Sequence, residues 1–177
     1  MTETSDAPVL LETLDAGNGF RIGVATLNAP KSLNSLTMAM VEILDPQFRQ
    51  WQDDDSIVCV VLRGSGDRAL CAGGDVIHLR NSALAGDGAA ALFFEKEYRL
   101  DYLIHTFTKP IIAWGHGVVM GGGMGLLSGA SHRVVTAETR LAMPEVTIGL
   151  YPDVGGSWFL NRAPGRTGLF LALTGAS

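Results

Sequence analysis

The chain has 177 residues, 22 of them glycine, with 47% hydrophobic and 18% charged residues and a formal net charge of −5. The apolar fraction excludes a disordered chain, the glycines lack the every-third-residue period of collagen, and eighteen acidic against thirteen basic residues exclude a broad nucleic-acid footprint. Two cysteines, Cys59 and Cys71, are too few for a disulfide scaffold and fit a reducing compartment.

Met1–Pro8 is polar and acidic and reads as a flexible N-terminus. It shows neither the apolar core of a secretory signal nor the Arg-rich character of a transit peptide, which leads to an expectation of a cytoplasmic protein. Residues 9–177 then read as one domain. Val9–Leu14 and Phe20–Leu27 are predicted strands joined by the turn-rich segment Asp15–Gly19. Thr37 is placed to cap a helix running to about Gln52, with Met40, Leu44, Phe48 and Trp51 on one stripe and Pro46 expected to kink or interrupt it. Ile57–Leu62 is a continuous apolar run, the pattern of a strand covered on both faces. A long loop, Arg63–Gly74, precedes a short helix capped by Asp75. Ala83–Gly88 is a small-residue linker, followed by a helix over about Ala89–Phe107.

Ile111–Trp114 reads as a strand, followed by a Gly-rich turn and a helix from about Gly122 to Ala130. Strands at Arg133–Ala137 and Arg140–Met143 and short helices near Val154–Arg162 and Arg166–Leu173 complete an α/β chain. Pro110–His132 carries no charged residue and spaces Gly117, Gly121, Gly125 and Gly129 like a membrane helix pair. Seven glycines and two histidines in those 23 residues make it too weakly hydrophobic for that role, so no membrane association is expected.

The familiar nucleotide and hydrolase motifs are absent: Met120 stands where a dinucleotide loop starting at Gly115 needs glycine, and there is neither a Gly-Lys pair nor GxSxG. The four histidines are scattered without metal-ligand spacing, so no metal is expected. Two glycine loops and three carboxylates remain. Cys71-Ala-Gly-Gly-Asp75 and Gly117-Val-Val-Met-Gly-Gly-Gly-Met-Gly125 each lie between a strand and a helix start, where free N–H groups from both loops can pinch one oxygen that becomes anionic. Tight turns and close helix packing account for the same glycines equally well. Glu97 falls on the buried stripe Phe93, Glu97, Leu100, Ile104, Phe107, which requires an internal ion pair, a pocket edge or a chemical task. Glu145 and Asp153 are the only charges in Leu141–Leu160, each directly after a proline. A carboxylate held this way in apolar surroundings suits proton transfer, while a helix N-cap is the alternative for Asp153. Cys71 is better read as a packed small residue than as a nucleophile.

These loops and acids, in this order, resemble the crotonase (enoyl-CoA hydratase/isomerase) superfamily over Val9 to Gly175. Cys71-Ala-Gly-Gly-Asp75, Phe93-Phe-Glu-Lys-Glu-Tyr98, His116–Gly125 and Ala142–Gly156 resemble most its 3-hydroxyisobutyryl-CoA hydrolase branch. The resemblance implies a spiral of ββα units that binds an acyl-CoA, with the thioester oxygen between the N–H groups of Gly74 and Gly122. It implies Glu145 as catalytic glutamate, Asp153 as its acidic partner and Glu97 at the substrate, with Ala72, Gly73 and Asp75 on the CoA side. Hydratases of the superfamily carry a second catalytic glutamate where this chain has Gly125, so the resemblance implies thioester hydrolysis of a 3-hydroxyacyl-CoA. An enoyl-CoA hydratase or isomerase and a non-catalytic CoA-binding or assembly fragment are the alternatives. No cofactor is implied beyond the CoA of the substrate. Family members continue past the position of Gly175 into C-terminal helices. The implied picture is therefore an N-terminal core domain with those helices absent, associating with a C-terminal segment or as a homo-oligomer.

Overall fold

The computed structural model describes residues 6–177. The expectation of a flexible terminus over residues 1–8 falls mostly outside them. Two strands, β1 (Val9–Gly17) and β2 (Phe20–Leu27), form an antiparallel hairpin. Helix α1 (Met38–Asp53) begins where Thr37 Oγ1 accepts a hydrogen bond from the Met40 amide. Its apolar stripe, Met40, Val41, Leu44, Phe48 and Trp51, is buried in the core, each such side chain contributing about 1.5–3 kcal/mol. Gly23 leaves the space for Trp51, since a Cβ there would lie 2.7 Å from the indole ring. Pro46 does not interrupt the helix. It and Glu42, whose carbonyl loses its partner, both lie on the exposed face, where water can satisfy the group.

Three strand–strand–helix units follow. The first is β3 (Ile57–Gly64), β4 (Ala69–Cys71) and α2 (Val76–Ala85), followed by α3 (Ala89–His105). The second is β5 (Ile111–Gly115), β6 (Val118–Met120) and α4 (Gly122–Gly129). The third is β7 (His132–Val135), β8 (Arg140–Ala142) and a 3-10 turn over Pro144–Ile148. In every unit the first strand joins a five-stranded sheet, order β1-β2-β3-β5-β7, and the second joins a three-stranded parallel sheet, order β4-β6-β8. Two short helices, α5 (Gly156–Phe159) and α6 (Thr167–Thr174), end the chain. This is the spiral of ββα units implied by the resemblance.

Two expectations need correction. The β3 strand is not covered on both faces: Val60 and Leu62 are buried, whereas Val58 is exposed. Strands β4 and β6 lie inside segments that read as loops, because three residues are too few to show a period of two. The uncharged stretch Pro110–His132 is divided among β5, β6, α4 and the start of β7. Among the described residues no helix is long and apolar enough to cross a membrane.

Candidate active site

The carboxyl ends of the three short parallel strands converge, the position where α/β sheets place ligands. Beyond β4 runs Ala72-Gly73-Gly74, beyond β6 runs Gly121-Gly122, and beyond β8 runs Met143-Pro144-Glu145. All of these residues but Met143, with Phe93 and Glu97 of α3 and the loop residue Asp153, line a cavity of about 280 Å³.

The two glycine loops touch. A Cβ built on Gly73 would lie 3.3 Å from the Met120 carbonyl oxygen and 3.8 Å from the Gly122 amide nitrogen, and one built on Gly122 would lie 3.5 Å from the Gly74 amide nitrogen. Flanking groups are spoken for: Leu36 N–H donates to Gly73 O, Asp75 N–H to Leu36 O and Gly121 N–H to Ala142 O. The N–H groups of Gly74 and Gly122 donate to no acceptor among the described residues. Gly122 opens α4, so its amide is one of the helix's unsatisfied donors.

Around this pair the glycines divide by task. At Gly121 a side chain would meet Glu145 Oε1 at 2.9 Å, and at Gly122 it would collide with Glu97 Oε1. These two glycines admit carboxylates. Gly123 instead packs against the Cys71 carbonyl, and Gly125 and Gly129 pack against α3 at Asp101 and Ile104. Close packing therefore explains the far half of the Gly-rich run. Cys71 is fully buried, and burial pushes its thiol up to about 12, which leaves it an inert, packed side chain.

Glu97 is 2% and Glu145 7% exposed. Burial, then Asp153 and Glu145, push the Glu97 carboxyl up to about 8. Burial is also the first cause of the upward shift of Glu145, whose Oε2 is buried with no hydrogen-bond partner. Pro144 opens the 3-10 turn that carries Glu145, and the fixed φ of proline holds the acid against the Gly121 loop. Asp153 does not cap α5, whose N-cap is Gly155; its Oδ2 accepts a hydrogen bond from Tyr98 Oη at 2.6 Å. Burial and that bond push the Tyr98 phenol upward. Of the open alternatives for Glu97, an internal ion pair is ruled out among the described residues, since every ion pair lies at the surface.

The structure thus brings Ala72, Gly73, Gly74, Glu97, Gly122, Glu145 and Asp153 to one cavity. Asp75 stands apart from this lining: its Oδ1 accepts from the His78 amide and caps α2. Sequence reasoning missed Tyr98 and Asp101. Asp101 sits one turn beyond Glu97 on α3, with both carboxylate oxygens buried and unpartnered. Burial, then Glu97 and Asp153, raise its carboxyl well above the usual range. The +4 spacing from Glu97 was the available signal, hidden because Leu100 at +3 already satisfied the apolar stripe.

Residues 22–177 match the enoyl-CoA hydratase/isomerase family. The 3-hydroxyisobutyryl-CoA hydrolase of Danio rerio, named as mitochondrial, is 43% identical over 99% of this chain and 44% of its own length. That of Xenopus tropicalis is 47% identical over 86% of this chain and 40% of its own. Among solved structures, a carnitinyl-CoA dehydratase from Mycobacterium thermoresistibile superposes with a TM-score of 0.88 at 48% identity, covering 96% of this chain and 48% of that one. An enoyl-CoA hydratase from Rhodobacter sphaeroides superposes with a TM-score of 0.89 at 45% identity, covering 96% of this chain and 49% of that one. The chain spans less than half the length of each of these relatives. The mitochondrial relatives overturn the expectation of a cytoplasmic location, which rested on reading the first residues as lacking a transit peptide. With its ββα spiral and matching sequence, the chain belongs to the enoyl-CoA hydratase/isomerase family.

Proposed function

We propose that the site hydrolyses the thioester of a 3-hydroxyacyl-CoA, with 3-hydroxyisobutyryl-CoA as the preferred substrate. The observation that carries this reading is the pair of free N–H groups, Gly74 and Gly122, held side by side in a cavity walled by Glu97, Glu145 and Asp153. A thioester carbonyl oxygen between those donors gains charge as the carbonyl carbon is attacked, and preorganised donors stabilise that charge without reorganisation. Glu145, adjacent at Gly121, attacks the carbonyl carbon or takes the proton of the attacking water. Asp153, held by Tyr98, positions Glu145 and passes to the departing CoA thiolate the proton that the attacking water gives up, so that one thioester and one water yield one acid and one thiol. Glu97, buried and carrying its proton near neutrality, binds the 3-hydroxyl. Ala72 and Gly73 flank the CoA moiety; Asp75 reaches it only from outside the cavity. No cofactor enters, since CoA arrives as part of the substrate. The substrate name comes from the mitochondrial hydrolases to which the chain is similar.

A second reading, hydration of an enoyl-CoA, is favoured by the names of the two solved relatives. Against it stands Gly125, where hydratases carry their second glutamate and where the Asp101 carboxylate and Val154 take up the space. A third reading is CoA binding or assembly without catalysis. The exposed Trp158, Leu169, Phe170 and Leu173 give such an assembly, or a homo-oligomer, an apolar surface to cover. Thiol release from 3-hydroxyisobutyryl-CoA, measured beside loss of the double bond of crotonyl-CoA, separates the three. Hydrolysis gives thiol from the first substrate only, hydration consumes only the second, and CoA binding with neither supports assembly.

A further inference from the structure

In the proposed hydrolysis Asp153 works from a loop, so its direction depends on what holds its neighbours. Tyr98 Oη holds the carboxylate from α3, and the Asp153 carbonyl accepts a hydrogen bond from the Gly156 N–H at the start of α5. The residue between them in the chain, Val154, is strained. Among the described residues four that are not glycine have positive φ, and Val154, at +40°, is the β-branched one. A branched side chain fits that region poorly, whereas Gly155 beside it adopts +84° freely. Such strain persists only where the surroundings enforce it, and it gathers at functional sites.

The enforcing contact comes from α4. Val154 is 5% exposed, yet it stands apart from the main core cluster, so its burial is local. A Cβ on Gly125 would lie 2.7 Å from Val154 Cβ, with Asp101 Oδ1 beside it at 2.8 Å. Gly125 lies inside α4 and is not among the residues of positive φ. Backbone conformation therefore does not demand glycine at residue 125; the space for Val154 does.

We propose that Val154 is a positioning residue: seated on Gly125, it locks the backbone next to Asp153 and aims the Asp153 carboxylate at the thioester. Tyr98 fixes the tip of the acid, and the Val154 seat fixes its root. The missing side chain at residue 125 then has a positive use. A glutamate there and a seated Val154 exclude each other, because both need the same space. Gly125 is thereby specificity-determining: the glycine that removes the second acid of a hydratase also installs the acid that protonates the departing thiolate.

This inference rests on the hydrolase reading, and its test keeps the two apart. Val154→Gly removes the side chain, and glycine takes the same backbone conformation without strain. The expected result is a fall in kcat for thiol release of about 10–100-fold with KM within about twofold, the effect of a small misplacement of a reacting group. Val154→Thr keeps the branched shape, at some cost in stability from its buried hydroxyl, and should keep kcat near wild type. Wild-type kcat in Val154→Gly, or an equal loss in Val154→Thr, overturns the proposal. Gly125→Ala fills the seat from the other side, so adding it to Val154→Gly should cost less than the product of the two separate losses; losses that multiply overturn a shared role. The second readout is amide hydrogen exchange. Protection of the Gly156 N–H, relative to that of Val60 N–H in the sheet, should drop at least about 10-fold in Val154→Gly. An unchanged ratio shows that Val154 does not hold the loop and overturns the proposal. If the wild-type chain releases no thiol, the hydrolase reading fails, while the exchange comparison still decides whether Val154 holds the Asp153 loop.

Discussion

The α1 side of the molecule and the α3 wall bury charge in opposite ways. Beneath α1 the core is aliphatic and aromatic, and the nearby charges are paired at the surface: Arg21 with Asp54 at 2.9 Å, Arg49 with Asp45 at 2.8 Å, and Lys96 with Glu42. The other face of α3 carries Glu97 and Asp101 into apolar surroundings with no cation to meet them. Removing a carboxylate from water without a partner costs far more than a surface pair returns. Among the described residues the ion-paired charges lie at the surface, while Glu97, Asp101 and Glu145 are held in the interior without a cation.

The contrast can be broken from either side. Phe48→Ala, in the apolar half, removes a fully buried ring that packs at a tilt against Trp51 and edge-on against Phe107. It should cost about 3–5 kcal/mol in denaturant unfolding; a cost below about 1 kcal/mol contradicts the assignment of this half as the main core. On the acid side, Gly122→Ala drives a methyl group into Glu97 Oε1 beside the Gly74 amide. Thiol release should fall by about 10²–10³-fold, and unchanged turnover places the reacting oxygen elsewhere.

Glu97→Gln sharpens the comparison by sign. The native Glu97 carboxyl titrates at about 8, above the ordinary value of 4.5, so the folded state holds its proton longer than the unfolded chain. Wild-type stability should therefore decline as pH rises from 4.5 through 8. The variant, which has no proton to lose, should gain on wild type by roughly 2–4 kcal/mol across that window. A constant difference shows that Glu97 is not held protonated. The smallest effect belongs to the surface: Arg49→Ala removes an exposed i,i+4 pair with Asp45 and should change stability by about 0.5 kcal/mol or less.

The elements with long periodic patterns were legible in the sequence. The stripe Met40, Leu44, Phe48, Trp51 located α1, and the Thr37 and Asp75 caps located two helix starts that the structure reproduces. The three-residue strands β4 and β6 were not legible, and they are the strands that aim the glycine loops at one cavity. Periodicity needs length, and these strands are fixed by pairing with partners distant in sequence, Ala69 with Val118 and Val119 with Leu141. Glu97 was visible as a charge on an apolar stripe. Asp101 and Tyr98 were not, because their significance depends on Gly125 and Asp153 arriving from other units. Glycine excess marked where the backbone comes close, but only the fold separates Gly121 and Gly122, which face carboxylates, from Gly123 and Gly129, which face packed backbone and side chain.

The proposed hydrolysis places Glu145 at a thioester carbonyl held by the Gly74 and Gly122 amides. Its most direct test is thiol release from 3-hydroxyisobutyryl-CoA by the wild-type chain and by Glu145→Gln under the same conditions. The expected result is turnover by wild type and a loss of about 10³-fold in the variant, with CoA-thioester binding retained. Wild-type turnover by Glu145→Gln, or no thiol release by the wild-type chain, contradicts it.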